Sequence, residues 1–231
     1  MTSILLLSGG AAQGLVTQLE EPFQLQFQCT IDGSFGSVGM MKDSLLAGTP
    51  CDVVILTEAL ITMLTASGEL VAGSARALGV VKTGIAVKEG DTLPALGSPA
   101  ALKAALQAAK GIYFPDPLKA TAGIHFMSVL MQLELEAELA DRLHSFPNGA
   151  TAMNAMAEAS GHGLLGCTQV TEILYTAGVQ LVAPLPLAFE LVTAYTAAVC
   201  THSLQPQAAR DLIGLMVGAD AAAMRLACGF E

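Results

Sequence analysis

Three times along this chain an apolar strand pattern runs into small residues of hydroxyl or glycine character, and a helical pattern follows at once. The junctions are ILLL-SGGAAQGLV from Ile4 to Val16, FQCTID-GSFGSVGMM from Phe27 to Met41, and GIYFPDPLKA-TAGIHF from Gly111 to Phe126. A helix N-terminus leaves backbone N–H groups unpaired and carries a partial positive charge, so several such ends facing one cleft would hold a small anion. Strands that alternate with helices imply α/β layers around a largely parallel sheet, with ligand sites beyond the carboxyl ends of the strands.

The alternation runs through almost the whole sequence. Strand patterns cover Ser3 to Leu7, Leu25 to Ile31, Asp52 to Leu56, Val80 to Val87, Gly111 to Phe114, Leu164 to Cys167, Gln180 to Ala183 and Val192 to Val199. Apolar residues at three- and four-residue spacing predict helices over Ala11 to Glu20, Val38 to Ala47, Pro99 to Ala109, Thr121 to His144, Ala150 to Ala159 and Pro206 to Ala227. Two long, Thr-containing β segments, VVKTGIAV and FELVTAYTAAV, bracket a self-contained αβ block. Read as crossovers, they predict one lobe from residues 1–81 plus 192–231 and a second from 82–191, hinged over a ligand cleft.

Composition narrows the function classes. Hydrophobic residues make up 53% of 231 and charged residues 13%, which excludes a disordered chain and suits strands buried on both faces. A net charge of −10 argues against a nucleic-acid binder, because neutralising phosphates needs a basic face. Any anion must therefore be held by local dipoles. The five cysteines (Cys29, Cys51, Cys167, Cys200, Cys228) are scattered through mostly apolar runs without zinc spacing, so no metal is expected and the thiols read as buried and reduced.

No secretory leader is evident. The first nineteen residues lack a basic segment, and Gly9, Gly10 and Gln13 interrupt the short apolar run. The uncharged stretch Leu191 to Ala209 contains His202, Gln205, Pro206 and Gln207, which argues against a membrane helix. The expectation is a cytoplasmic protein without membrane insertion, or a periplasmic one if a signal peptide has been removed. No cofactor is expected: P-loop, G-x-S-x-G and H-E-x-x-H patterns are absent, and Gly9, Gly10 and Gly14 miss the dinucleotide spacing.

Taken in order, Ser8-Gly9-Gly10, Ser34-Phe35-Gly36-Ser37-Val38-Gly39, Ala47-Gly48-Thr49-Pro50-Cys51-Asp52-Val53-Val54, Asp116-Pro117 with Thr121-Ala122-Gly123-Ile124, and Leu165-Gly166-Cys167-Thr168-Gln169 resemble the molybdate-binding-protein-like branch of the type II periplasmic-binding-protein fold. The resemblance implies two lobes, each a mixed, mostly parallel sheet flanked by helices. It places ligand contacts at Ser8, Gly9, Gly10, Ser37, Thr121, Ala122, Gly123, Ala150, Thr151 and Gln169, holding an oxyanion or an organic carboxylate. Hydroxyls and free amides can donate to such a ligand without a buried counter-charge. The ordinary role of Ser8, Ser37 and Thr121 is N-capping. Departures from the pattern, with Val38 for a small polar residue and Gln169 for a Tyr, imply a roomier pocket that suits a small carboxylate.

The resemblance also implies an ABC transporter as partner, provided that an export signal is missing from this sequence. Aconitate isomerase is similar to the same family, so an allylic proton shift on a polycarboxylate is the alternative activity. His125, one helical turn beyond Thr121, is then the candidate base, with packing as its ordinary role. Glu172 is a second acidic candidate or a helix-start residue, and Arg76 and Lys82 read as surface ion-pair partners. His144, His162 and His202 are assigned no catalytic role.

Overall fold

The computed structural model describes residues 2–231, and their contacts divide them into two compact units. The first comprises residues through Val81 together with Thr193–Glu231, and the second Lys82–Val192.

The first unit is built on a sheet ordered β2 (Cys29–Gly36), β1 (Thr2–Gly9), β3 (Val53–Thr57), β9 (Val192–Val199). β1 runs parallel to β2 and β3, and β9 lies antiparallel to β3. Every residue of β3 but the last is buried, as a central strand covered on both faces requires. Around the sheet pack α1 (Gln13–Phe27), α2 (Val38–Leu46), α3 (Glu58–Ala66), α9 (Pro206–Val217) and α10 (Ala222–Ala227), closing a core that includes Ile4, Leu15, Phe23, Ile55 and Leu212. Asp52, just before β3, ties the unit together. Its carboxylate accepts from the backbone N–H of Leu5, Leu204 and Gln205 and from the Ser203 hydroxyl at 2.7–3.0 Å, which fixes the approach to α9.

In the second unit β4 (Arg76–Lys88), which enters from the first, is followed in the sheet by β7 (Leu164–Gln169), β5 (Gly111–Pro115) and β6 (Leu143–Phe146), with β8 (Val179–Pro184) also paired to β4. β5 is parallel to β6 and β7, whereas β4 is antiparallel to β7 and β8. The helices are α4 (Pro99–Ala108), α5 (Thr121–Gln132), α6 (Glu136–Leu139), α7 (Gly149–Glu158) and α8 (Val170–Tyr175). One apolar cluster centres on Ile85, Leu102, Ile112 and Phe126, and a smaller one on Met153, Met156 and Ile173.

Several element boundaries differ from the sequence expectation. The helix expected over Thr121 to His144 ends at Gln132, Glu134 turns left-handed at φ 58°, and Leu143–Phe146 becomes the strand β6 beside β5. Leucines keep helical spacing through this stretch, and pairing with β5 overrides them. The strand expected from Leu25 begins only at Cys29, because α1 continues to Phe27 and ends at a left-handed Gln28, φ 53°. The last expected helix splits into α9 and α10, and α3 was absent from the expected set. Among the described residues no helix is long and apolar enough to cross a membrane, and no three His, Cys, Asp or Glu side chains group into a metal site.

Candidate functional site

In the first unit the expected contacts sit at the carboxyl ends of β1 and β2. Ser8 is fully buried inside β1, between Phe35 and Ile55 of the neighbouring strands, and its hydroxyl donates to the Gly9 carbonyl at 2.9 Å. It caps no helix: the strand runs on through Gly9, Gly10 opens a single 3-10 turn, and α1 starts at Gln13. Ser37 does cap. Its side-chain oxygen accepts the Met40 N–H at 3.4 Å at the start of α2, and 5% of the residue is exposed. A Cβ on Gly9 would stand 2.8 Å from Val38 Cγ1, so the close approach of β1 and α2 needs glycine there.

In the second unit three helix starts carry the other expected residues. α5 begins at Thr121 with Ala120 as its N-cap and no side-chain cap, so Thr121 is the first helical residue rather than the cap. Ala122 and Gly123 are buried, and a Cβ on Gly123 would collide with the Pro115 and Asp116 carbonyls. Glycine therefore sets how near α5 comes to the end of β5. His125 is half-buried on α5, with Nε2 2.7 Å from the Phe189 carbonyl oxygen. A neutral ring bound this way donates from Nε2 and keeps Nδ1 as its basic nitrogen.

α7 is closed from within the protein. The carboxylate of Glu172 accepts from the backbone N–H of Gly149, Ala150 and Gln169, and from the Thr168 hydroxyl at 2.5 Å. Asn148 Oδ1 accepts both the N–H and the hydroxyl of Thr151, at 2.8 and 2.9 Å. The amides of Ala150 and Thr151, expected to meet ligand, thus already have partners. Burial pushes the Glu172 carboxyl above the usual range, while the four donors pull it back down. Gly149 is required by the same arrangement, because a Cβ would collide with Glu172 Oε2 and Thr168 Oγ1.

Gln169 presents the opposite case. It is the N-cap of α8 and 2% exposed, yet neither its side-chain oxygen nor its nitrogen has a hydrogen-bond partner among the described residues. The hydroxyls of Thr83, its partner in the β4–β7 register, and of Thr171 are likewise buried and unpaired. An unpaired buried polar group costs about 1–3 kcal/mol, so such a group inside a folded protein signals a missing partner. Thr83 was not among the expected contacts, and its place opposite Gln169 comes from the pairing of β4 with β7. Elsewhere, Lys82 pairs with Glu190 at 3.5 Å, and Arg76 donates to the carbonyls of Gly73 and Ala75.

Parallel strands that end in small residues and helix starts, in two units built from a discontinuous chain, are a combination found in periplasmic binding proteins. The structure aligns with the periplasmic molybdate-binding protein of Azotobacter vinelandii at a TM-score of 0.81, with 20% identity and coverage of 99% of this chain and 98% of that one. It aligns with the sulfate-binding protein SubI of Mycobacterium tuberculosis at a TM-score of 0.77, with 16% identity over 100% and 86% of the two chains. A curated relative, aconitate isomerase from Pseudomonas sp., is 25% identical over 228 residues, 96% of this chain and 85% of the relative. The pattern of the bacterial extracellular solute-binding protein family matches residues 4–231, and the chain belongs to that family.

Proposed function

We propose that the chain binds a small anion, an oxyanion or an organic carboxylate, through neutral hydrogen-bond donors rather than a basic side chain. The observation that carries this reading is the buried, unpartnered amide of Gln169, with the Thr83 and Thr171 hydroxyls unpaired beside it in sequence and register. An amide offers both donors and an acceptor, which suits a carboxylate with a neighbouring hydroxyl or carboxyl better than a fully ionised tetrahedral oxyanion. The start of α5 at Thr121, Ala122 and Gly123, which has no side-chain cap, belongs to the same unit as Gln169 and offers a helix end there. As a member of a solute-binding family, the protein would hand this ligand to an ABC transporter if it is exported.

A thermal-shift series with molybdate, tungstate, sulfate, phosphate, citrate, cis-aconitate and trans-aconitate tests the proposal. A ligand at 100 times its Kd adds about 2.7 kcal/mol, which moves the midpoint of a chain this size by roughly 5–10 °C. Gln169→Ala should then weaken that ligand about tenfold while the unliganded midpoint stays the same or rises. Absence of a shift with every anion overturns the reading, and unchanged affinity in Gln169→Ala removes this residue from the site.

The similarity to aconitate isomerase supports a second reading, an allylic proton shift on a polycarboxylate. His125 would then use its Nδ1 as the base, since Nε2 is held by the Phe189 carbonyl. Proton NMR of cis-aconitate incubated with the protein decides it: appearance of trans-aconitate, lost in His125→Gln, establishes the enzyme. An unchanged spectrum retires it.

A further inference from the structure

Away from these residues, the first unit holds a cavity of about 510 Å³ lined by Leu45, Pro50, Cys51, Asp52, Cys200 and His202 among others. Two of its walls are thiols. Cys51 precedes β3 and Cys200 follows β9, and the ladder that pairs Val53 with Val199 continues through a bond from the Cys200 N–H to the Asp52 carbonyl at 3.0 Å. Cys200 is also bridged to Leu70 on its other side, so its backbone is clamped between two segments. The Cys51 and Cys200 side chains face the same cavity and interact with each other, and the Cys51 thiol donates to the Val53 carbonyl at 3.0 Å. All five cysteines are free and buried, but this is a pair held in contact beside a space large enough for a small reagent.

We propose that Cys51 and Cys200 form a dithiol site that a small peroxide oxidises to an intramolecular disulfide. Cys51 attacks first. Its sulfur bonds to one peroxide oxygen, the O–O bond breaks, and the departing oxygen leaves as water with the thiol proton, giving a sulfenic acid. The Cys200 sulfur then displaces the sulfenic oxygen, which leaves as a second water with the Cys200 proton. Two thiols lose two electrons in all, and one peroxide is reduced to two waters.

The order follows from the two environments. The interaction with Cys200 holds the Cys51 thiol below its ordinary range against the effect of burial, with the backbone at Leu7 assisting, so Cys51 gives up its proton more readily than Cys200. Cys200 is pushed up by the same interaction and by burial, with the negative charges of Cys51, Asp52 and Glu69 adding to the effect. Once Cys51 is a sulfenic acid its negative charge is gone, and that part of the barrier to losing the Cys200 proton goes with it. Burial pushes up the thiols of Cys29, Cys167 and Cys228, which provides three internal controls.

The test uses the full-length reduced protein, treated under native conditions with a small excess of hydrogen peroxide, quenched with a maleimide, and analysed by intact mass and non-reducing peptide mapping. The expected product has lost two hydrogen atoms, contains a linked Cys51–Cys200 peptide pair, and has three alkylated thiols. Cys51→Ser should form no disulfide, and Cys200→Ser should stop at a sulfenic acid on Cys51 that dimedone traps. Alkylation of all five thiols, a link between any other pair, or over-oxidation at Cys51 without a link to Cys200 overturns the proposal. Should either variant fail to fold, the wild-type peptide map alone decides.

Discussion

α5 and α7 start from similar sequence, Ala-Thr-Ala-Gly and Asn-Gly-Ala-Thr, and the structure treats the two starts in opposite ways. At α7 the first amides are closed by a carboxylate and a side-chain amide, Glu172 and Asn148, and a glycine leaves room for the carboxylate. At α5 the N-cap is an alanine with no side chain to offer, and the glycine serves a different end, letting the helix approach the carbonyls at the end of β5. A run of small residues at a helix start therefore does not define an anion site. Whether the start is available depends on what another element brings to it, and here the first turn of α8 brings Glu172.

The largest effect expected is from adding one carbon at either glycine. Gly149→Ala should displace the Glu172 carboxylate, and Gly123→Ala should push α5 off β5, each costing about 3 kcal/mol as an overpacked site. Chemical denaturation measures both. The comparison predicts different signatures: only Gly149→Ala should also change how stability depends on pH, because only that glycine faces an ionisable group. Equal pH profiles in the two variants would break the distinction.

Glu172→Gln isolates the charge. A Gln side chain keeps the size but turns a donor group toward the amides that the carboxylate accepts, for an expected loss of about 2 kcal/mol at low pH that shrinks as pH rises. With its native pKa raised by burial above the ordinary 4.5, Glu172 holds its proton more tightly folded than unfolded. Its contribution is therefore fully present below that ordinary value and is lost as pH rises through the folded pKa. Wild-type stability should carry that downward slope above pH 4.5, and Glu172→Gln should lack it. An identical slope in the variant would mean that another group produces it.

Much of this was legible in the sequence, for identifiable reasons. The apolar runs expected as strands over Asp52 to Leu56 and Leu164 to Cys167 lie in the buried strands Val53–Thr57 and Leu164–Gln169, and Ser37 sits where an N-cap must. Ser8 did not, because nothing local shows that a strand continues through Ser8-Gly9 before turning. β6 was hidden inside a leucine-rich helical spacing, since its strand character comes from pairing with β5, where Ile112 lies opposite Leu143. The role of Glu172 was half visible: its place in the first turn of a short helix could be read, but its reach to Gly149 and Ala150 depends on packing between α7 and α8. The lack of a partner for Gln169 is a property of the fold alone.

The smallest effect expected is the most direct measure of the difference between the two helix starts. Asn148→Ala removes the acceptor for the Thr151 amide and hydroxyl and should cost about 1 kcal/mol, the usual value of an N-cap. Thr121→Ala changes the first residue of a helix that has no side-chain cap, and should leave stability within about 0.5 kcal/mol. Denaturant midpoints at constant m-value resolve the two. A loss of 1 kcal/mol or more in Thr121→Ala would show that its hydroxyl satisfies the start of α5 after all, and would take that helix end out of contention for an anion. If the loss is instead confined to Asn148→Ala, the start of α5 still needs a partner, and a ligand carboxylate is of the right charge to be one.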